Sequence, residues 1–268
     1  MRAIDWDDAY ANGKYIAGAD EYPARWAAKA ATFRDQLSAT NRAQLDLPYA
    51  DAPRTRLDLF LPDAAPRGLV VFVHGGFWRA FDKSSWSHFA QGALARQFAV
   101  AVPSYTLCPE AKIADITRQI AAAIDMASGL IAGPIHLAGH SAGGHLVTRM
   151  LCDGIPWASC FVERIARVVS ISGVHDLRPL LATEMNEDFG MDAADAIAES
   201  PLLCQDVLPV PVVAWVGADE RPSFIDQSNW LTQAWPNATI TLAPDCHHFN
   251  VIDGLLDPHS ALMDALLG

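Results

Sequence analysis

The chain has 268 residues, 51% of them hydrophobic, and 19 Lys and Arg stand against 31 Asp and Glu for a formal net charge of -12. That length suits one domain with a substantial core, and the acidic balance, with no basic block, speaks against nucleic acid or an anionic membrane surface as a partner. The start Met1-Arg2-Ala3-Ile4-Asp5-Trp6-Asp7-Asp8 lacks a basic region followed by an apolar stretch, no run of about 18 apolar residues suggests a membrane span, and five scattered cysteines form no C-x-x-C pair, so a cytoplasmic protein with reduced, partly buried thiols is expected.

In chain order, residues 1–45 are rich in aromatics (Trp6, Tyr10, Tyr15, Tyr22, Trp26, Phe33). They form an N-terminal arm that either packs outside a sheet or covers a site. Apolar strand runs follow at Leu57–Leu61 and Leu69–Val73, the second leading directly into His74-Gly75-Gly76-Phe77-Trp78, and then at Phe98–Val102. Ile113, Ile116, Ile120, Ile124 and Ala127 recur at helical spacing. The run Ile135–Ala138 opens into Gly139-His140-Ser141-Ala142-Gly143-Gly144, and Leu146, Val147, Met150 and Leu151 continue as a helix. After the run Val168–Ile171 comes a polar connection, residues 176–205, a second possible cover segment. The run Val212–Val216 ends in Gly217-Ala218-Asp219-Glu220-Arg221-Pro222, and Thr239–Leu242 precedes Asp245-Cys246-His247-His248-Phe249. Strands that are apolar at nearly every position and alternate with helices predict a mostly parallel, doubly wound α/β sheet with helices on both faces. Such sheets place their sites beyond the carboxyl ends of the strands.

The motifs carry a specific chemistry. Gly-x-Ser-x-Gly between a strand and a helix is the sequence form of a nucleophile elbow, which makes Ser141 the candidate nucleophile. Consecutive glycines after a strand let backbone N–H groups face a cleft, so Gly76 and Phe77 with Ala142 are the expected oxyanion donors. A serine needs a base, and the base needs a carboxylate. The order Ser, acid, His leaves Asp219 or Glu220 for the acid and His247 or His248 for the base, with strand-end geometry leaning to Glu220. Arg221 can pair with the carboxylate left over, and Cys246 lies two residues from His248. No H-x-x-x-H or H-E-x-x-H occurs, and the spacing of His140 and His145 suits one helical face poorly, so no metal is expected. No Gly-x-Gly-x-x-Gly or phosphate loop appears, and no cofactor is implied.

The segments His74-Gly75-Gly76-Phe77-Trp78, Asp58-Leu59-Phe60-Leu61-Pro62, Gly139 to Leu146, Ile171-Ser172-Gly173-Val174-His175-Asp176-Leu177, Phe224-Ile225-Asp226-Gln227-Ser228 and His248-Phe249-Asn250-Val251-Ile252 together resemble the kynurenine formamidase (arylformamidase) branch of the α/β-hydrolases. The resemblance implies the α/β-hydrolase fold, a single domain of about eight strands. It also implies a serine hydrolase that removes a formyl or small acyl group from a small molecule in tryptophan breakdown, without a cofactor. In such sequences the catalytic histidine immediately precedes a phenylalanine, which maps onto His248. The acid, counted back from Phe224 through Pro222, falls at Glu220; many relatives carry Asp there, and Asp219 stays an alternative. Trp78 and the N-terminal aromatics are the expected partners of an aryl leaving group. A carboxylesterase of short acyl esters is the second reading, and a non-catalytic binding protein of the same fold the third.

Overall fold

A computed structural model describes residues 4–157 and 160–268. The first three residues of the start read above, and the Cys160 side chain, lie outside what it describes. In chain order the strands are β1 (Ala43–Pro48), β2 (Arg56–Phe60), β3 (Leu69–Val73), β4 (Ala99–Pro103), β5 (Ile135–His140), β6 (Ile165–Ile171), β7 (Val212–Gly217) and β8 (Ala238–Ala243). They form one sheet in the order β1-β2-β4-β3-β5-β6-β7-β8. β2 pairs antiparallel with β1 and β4, and every other neighbouring pair is parallel. This is the α/β-hydrolase fold.

Each apolar run became a strand, and β1 is the one without such a run. It lies inside the region read as an arm, whose last residues therefore belong to the sheet. The reason is its place: an edge strand has one neighbour and a solvated flank, so it needs no continuous apolar sequence, and its residues are exposed or half-buried. A bulge between Gln44 and Leu47 further breaks its periodicity.

The central strands divide their side chains between two cores. Leu69, Val71 and Val73 of β3 enter one, Val70 and Phe72 the other, and all five are buried. Full burial of side chains of this size is worth roughly 1.5–3 kcal/mol each. Nine α-helices are described: α1 (Trp6–Ala9), α2 (Tyr22–Ser38), α3 (Gln91–Ala95), α4 (Ile113–Leu130), α5 (Ala142–Arg149), α6 (Asn186–Phe189), α7 (Ala193–Ala198), α8 (Pro222–Ala234) and α9 (Ala261–Leu267). α4, α5 and α8 cover the first face with Ile116, Ile120, Leu146 and Leu231. α2, α3 and α9 cover the second with Trp26, Leu94 and Met263. No helix among the described residues is long and apolar enough to cross a membrane.

From β3 the chain moves to β4 on one side and later to β5 on the other. The crossovers therefore diverge between β3 and β5, and a crevice opens at their carboxyl ends. The H-G-G loop and the serine turn meet there.

Candidate active site

Ser141 occupies the single residue between β5 and α5, with φ 56° and ψ -116°. A non-glycine residue held in such a conformation costs on the order of 1–3 kcal/mol, so its surroundings must impose it. They do so through close backbone contact. A Cβ on Gly139 would lie 2.1 Å from the Gly143 oxygen, and one on Gly143 would lie 2.0 Å from the Val73 oxygen. Only glycine lets β5, α5 and β3 approach this closely. The Ser141 N–H donates to the Ile171 oxygen at 2.8 Å, which anchors the turn to β6.

The H-G-G loop needs glycine for the same reason, since a Cβ on Gly75 would lie 2.9 Å from the His140 oxygen and 3.1 Å from Ser141 Cβ. Gly76, Phe77 and Trp78 follow at φ 108°, 47° and 54°. Among the described residues nothing accepts from the backbone N–H groups of Gly76, Phe77 or Ala142. Ala142 opens α5, where helical N–H groups have no partner within the helix. His74 supports the loop from beneath: its ring stacks on Tyr105 at 4.4 Å, and its Nδ1 lies 2.7 Å from the Gly75 oxygen. Burial pushes the His74 pKa down to about 4, so the ring is neutral and Nδ1–H donates.

The structure does not put Trp78 where a substrate could stack on it. Its side chain is fully buried, edge-on to His145 at 5.1 Å and Phe189 at 5.6 Å. Phe77 lines the cavity instead. Two successive left-handed residues turn the loop so that the ring after Phe77 enters the core, an inversion that residue type does not announce.

At the end of β7, Glu220 and Asp219 part company. Asp219 is exposed. The Glu220 carboxylate is wholly buried and accepts from Ser172 Oγ at 2.5 Å and from the Gly217 N–H at 2.8 Å through Oε1, while His248 Nδ1 stands 2.6 Å from its Oε2. Ser172, at the end of β6, was not singled out from sequence, although its position one residue past a central strand marks it as near the site. Arg221 pairs with Asp8 at 2.7 Å rather than with Asp219, and its guanidinium lies over the Tyr15 ring at 3.8 Å.

The two adjacent histidines also diverge. His248 is buried at the cavity, with Phe224 packed on its ring at 4.4 Å. His247 faces away: Nδ1 accepts the N–H of Phe249, and Nε2 stands 3.2 Å from the Tyr22 hydroxyl on α2. Cys246 is half-buried and contributes its main-chain oxygen to the Asp219 N–H at 3.0 Å. Cys108, Cys152, Cys204 and Cys246 are free thiols. His140 and His145 have separate carbonyl partners, His248 O and Glu199 O. Among the described residues no three His, Cys, Asp or Glu side chains gather as metal ligands would.

Ser141, His248, Gly76 and Phe77 open onto one cavity of about 800 Å³. Six Phe, Tyr and Trp rings wall it: Tyr10, Trp26, Phe77, Phe81, Trp86 and Phe249. Both segments that did not fit the strand and helix alternation supply walls, the arm through residues 7–26 and the connection through residues 184–188. The exposed part of the lining is charged, with Asp7, Asp20, Glu184 and Glu187 beside the Arg79–Asp188 pair at 2.6 Å. Gln227, invisible as a functional residue in the sequence, ties these pieces together. It is fully buried, accepts from the His175 and Asp176 N–H groups at 2.7 Å each, and donates to the Tyr10 hydroxyl at 2.8 Å.

The alpha/beta hydrolase family matches the chain over residues 70–266. Kynurenine formamidase of Danio rerio is 27% identical over 91% of this chain and 92% of its own length. A protein of Silicibacter sp. TM1040, provisionally named a thioesterase, has a crystal structure that superposes with a TM-score of 0.96 at 54% identity, covering 99% of this chain and 100% of that one. Esterase B of Lactobacillus rhamnosis superposes with a TM-score of 0.67 at 19% identity over 88% of this chain and 90% of its own, a likeness of fold.

Proposed function

Because the chain belongs to the alpha/beta hydrolase family, we propose that it is a serine hydrolase whose preferred reaction is removal of the formyl group from an N-formyl aryl amine, as in N-formylkynurenine to kynurenine and formate. Ser141 is the nucleophile, His248 the base and Glu220 the acid. The carboxylate accepts a hydrogen bond from Nδ1–H, which keeps the imidazole proton on Nδ1 and leaves Nε2 unprotonated and able to take the Ser141 proton. The N–H groups of Gly76, Phe77 and Ala142 receive the oxyanion, a donor type worth about 3–4 kcal/mol each in related reactions. His248 then returns its proton to the leaving nitrogen, without which an anilide leaves poorly. Water repeats the sequence on the formyl-enzyme and releases formate.

The observation that carries the formamide reading is the ring-walled cavity over Ser141 with a charged rim, which suits an aryl amine bearing polar groups at its far end. The kynurenine formamidase likeness across nine-tenths of the chain agrees with it. Hydrolysis of short acyl esters is the second reading, favoured by the cavity's size, which leaves room for an acyl chain. The test compares kcat/KM for N-formylkynurenine, p-nitrophenyl acetate and butyrate, and an acetyl thioester. We expect the formamide to lead by at least about tenfold; a formamide no better than the esters removes the first reading. Failure of a fluorophosphonate to label Ser141 in folded protein removes both and leaves a non-catalytic binding protein.

A further inference from the structure

The residue in front of the proposed nucleophile reaches across the site. His140 ends β5, and the residue is 3% exposed. It is wedged between the H-G-G loop and the proposed base: a Cβ on Gly75 would lie 3.1 Å from its Nδ1, and its ring centroid is 4.7 Å from that of His248. Its Nε2 stands 2.8 Å from the main-chain oxygen of His248. A carbonyl oxygen can only accept, so Nε2 carries a proton. Burial, reinforced by the neighbouring His248, holds the His140 pKa well below the usual histidine range. The ring is therefore neutral, Nδ1 bears no proton, and Nδ1 has no hydrogen-bond partner.

On the reading that Ser141 and His248 are nucleophile and base, we propose that His140 is a positioning residue, whose Nε2–H bond to the His248 oxygen locks the base-bearing loop to the strand end that carries the nucleophile. Of the neighbouring bonds of that loop, the Asp219 N–H to the Cys246 oxygen at 3.0 Å and Glu220 to the His248 ring run to the β7 side, while His247 reaches Tyr22 on α2. None of these joins β5 to His248 directly. The His140 bond does, and its neutral ring adds no positive charge beside His248 when that residue takes the serine proton. Misplacement of reacting groups by about 1 Å can cost roughly 10²-fold in rate.

Two amide replacements separate this role from packing. In H140Q the amide nitrogen falls where Nε2 was and can still donate to the His248 oxygen; in H140N it is too short to reach. Both are neutral and polar. We expect the kcat and the fluorophosphonate labelling rate of Ser141 to fall about 10- to 100-fold in H140N with KM within about threefold, and to stay within about threefold of wild type in H140Q. Undiminished labelling in H140N overturns the proposal, as does equal loss in both variants. Nitrogen NMR of the wild-type protein reads the same bond even where a variant fails to fold. The Nε2–H tautomer for His140 supports it, and the Nδ1–H tautomer or a charged ring overturns it. Hydrolysis that survives S141A defeats the underlying reading instead, whereas a dead S141A beside a fully active H140N defeats only the role of His140.

Discussion

Replacing Glu220 by glutamine keeps the shape of the side chain and changes which of its atoms can accept a hydrogen bond. Oε1 of Glu220 receives two donors, Ser172 Oγ and the Gly217 N–H, so in E220Q the amide oxygen must take that side. The amide nitrogen then faces His248 Nδ1, at the 2.6 Å position now held by Oε2. A nitrogen that donates forces Nδ1 to accept, and the imidazole proton moves to Nε2. On the proposed mechanism, His248 can then no longer take the Ser141 proton. The same exchange in a triad on an unrelated fold costs about 10⁴ in kcat, which corresponds to about 5 kcal/mol of barrier. We expect E220Q to lose about 10³- to 10⁴-fold in kcat with KM little changed. Its thermal midpoint should stay close to wild type, because the bonds to Ser172 and Gly217 persist. D219N, altering an exposed side chain, should stay within about twofold. The assay is steady-state hydrolysis of N-formylkynurenine and p-nitrophenyl acetate, with active-site titration to count competent protein. An E220Q variant near full activity beside an inactive D219N would refute the assignment of the acid and the tautomer argument with it.

The elbow glycines should be intolerant: G143A places a Cβ 2.0 Å from the Val73 oxygen, and urea unfolding should register a loss of about 3 kcal/mol or more, whereas a loss under about 1 kcal/mol means the backbones can separate. Trp78 and Phe77 should differ in kind. W78A empties a fully buried site and should cost about 3–5 kcal/mol of stability, while F77A, on the cavity wall, should raise KM for the aryl formamide roughly 3- to 10-fold, as loss of one aromatic contact would; the opposite pattern would return Trp78 to the substrate. Stability should also fall on mild acidification. Burial pushes the pKa of His145 and His175 down to about 3 and that of His74 to about 4, below the value near 6.5 of an unfolded histidine. Below that value the unfolded chain takes up protons that the folded chain refuses, so each ring removes up to about 1.4 kcal/mol per pH unit as pH drops from 6.5 toward 4. Urea midpoints that stay level between pH 7 and pH 5 would count against these rings being neutral in the fold.

Much of this is legible in the amino-acid sequence. The apolar runs of the inner strands mark those strands because strands covered on both faces must be apolar throughout, and the edge strand β8, half-buried or exposed over most of its length, still shows a short run at Thr239–Leu242. The serine turn and the H-G-G loop were legible because close backbone approach demands glycine locally, and the contacts at Gly75, Gly139 and Gly143 are the reason those letters stand where they do. The residue set at the strand ends, and its order along the chain, also follow from local constraint. β1 escaped because an edge strand needs no apolar run.

Direction in space was not legible. Asp219 and Glu220 are neighbours of the same chemistry, as are His247 and His248, and only the turn geometry sends one of each pair into the site and the other to the surface or to Tyr22. Phe77 and Trp78 differ in the same way, divided by two left-handed residues. The cavity itself belongs to the tertiary structure, since its walls come from residues 7–26, 76–86, 140–141, 184–188 and 248–249. The amino-acid sequence determined a strained serine at a strand end with a glycine-rich loop before it and carboxylate and histidine loops after it, because each of those is a short-range steric demand. The folded chain alone decided which carboxylate faces which imidazole and which rings enclose the serine, because side-chain direction depends on contacts between segments far apart in sequence.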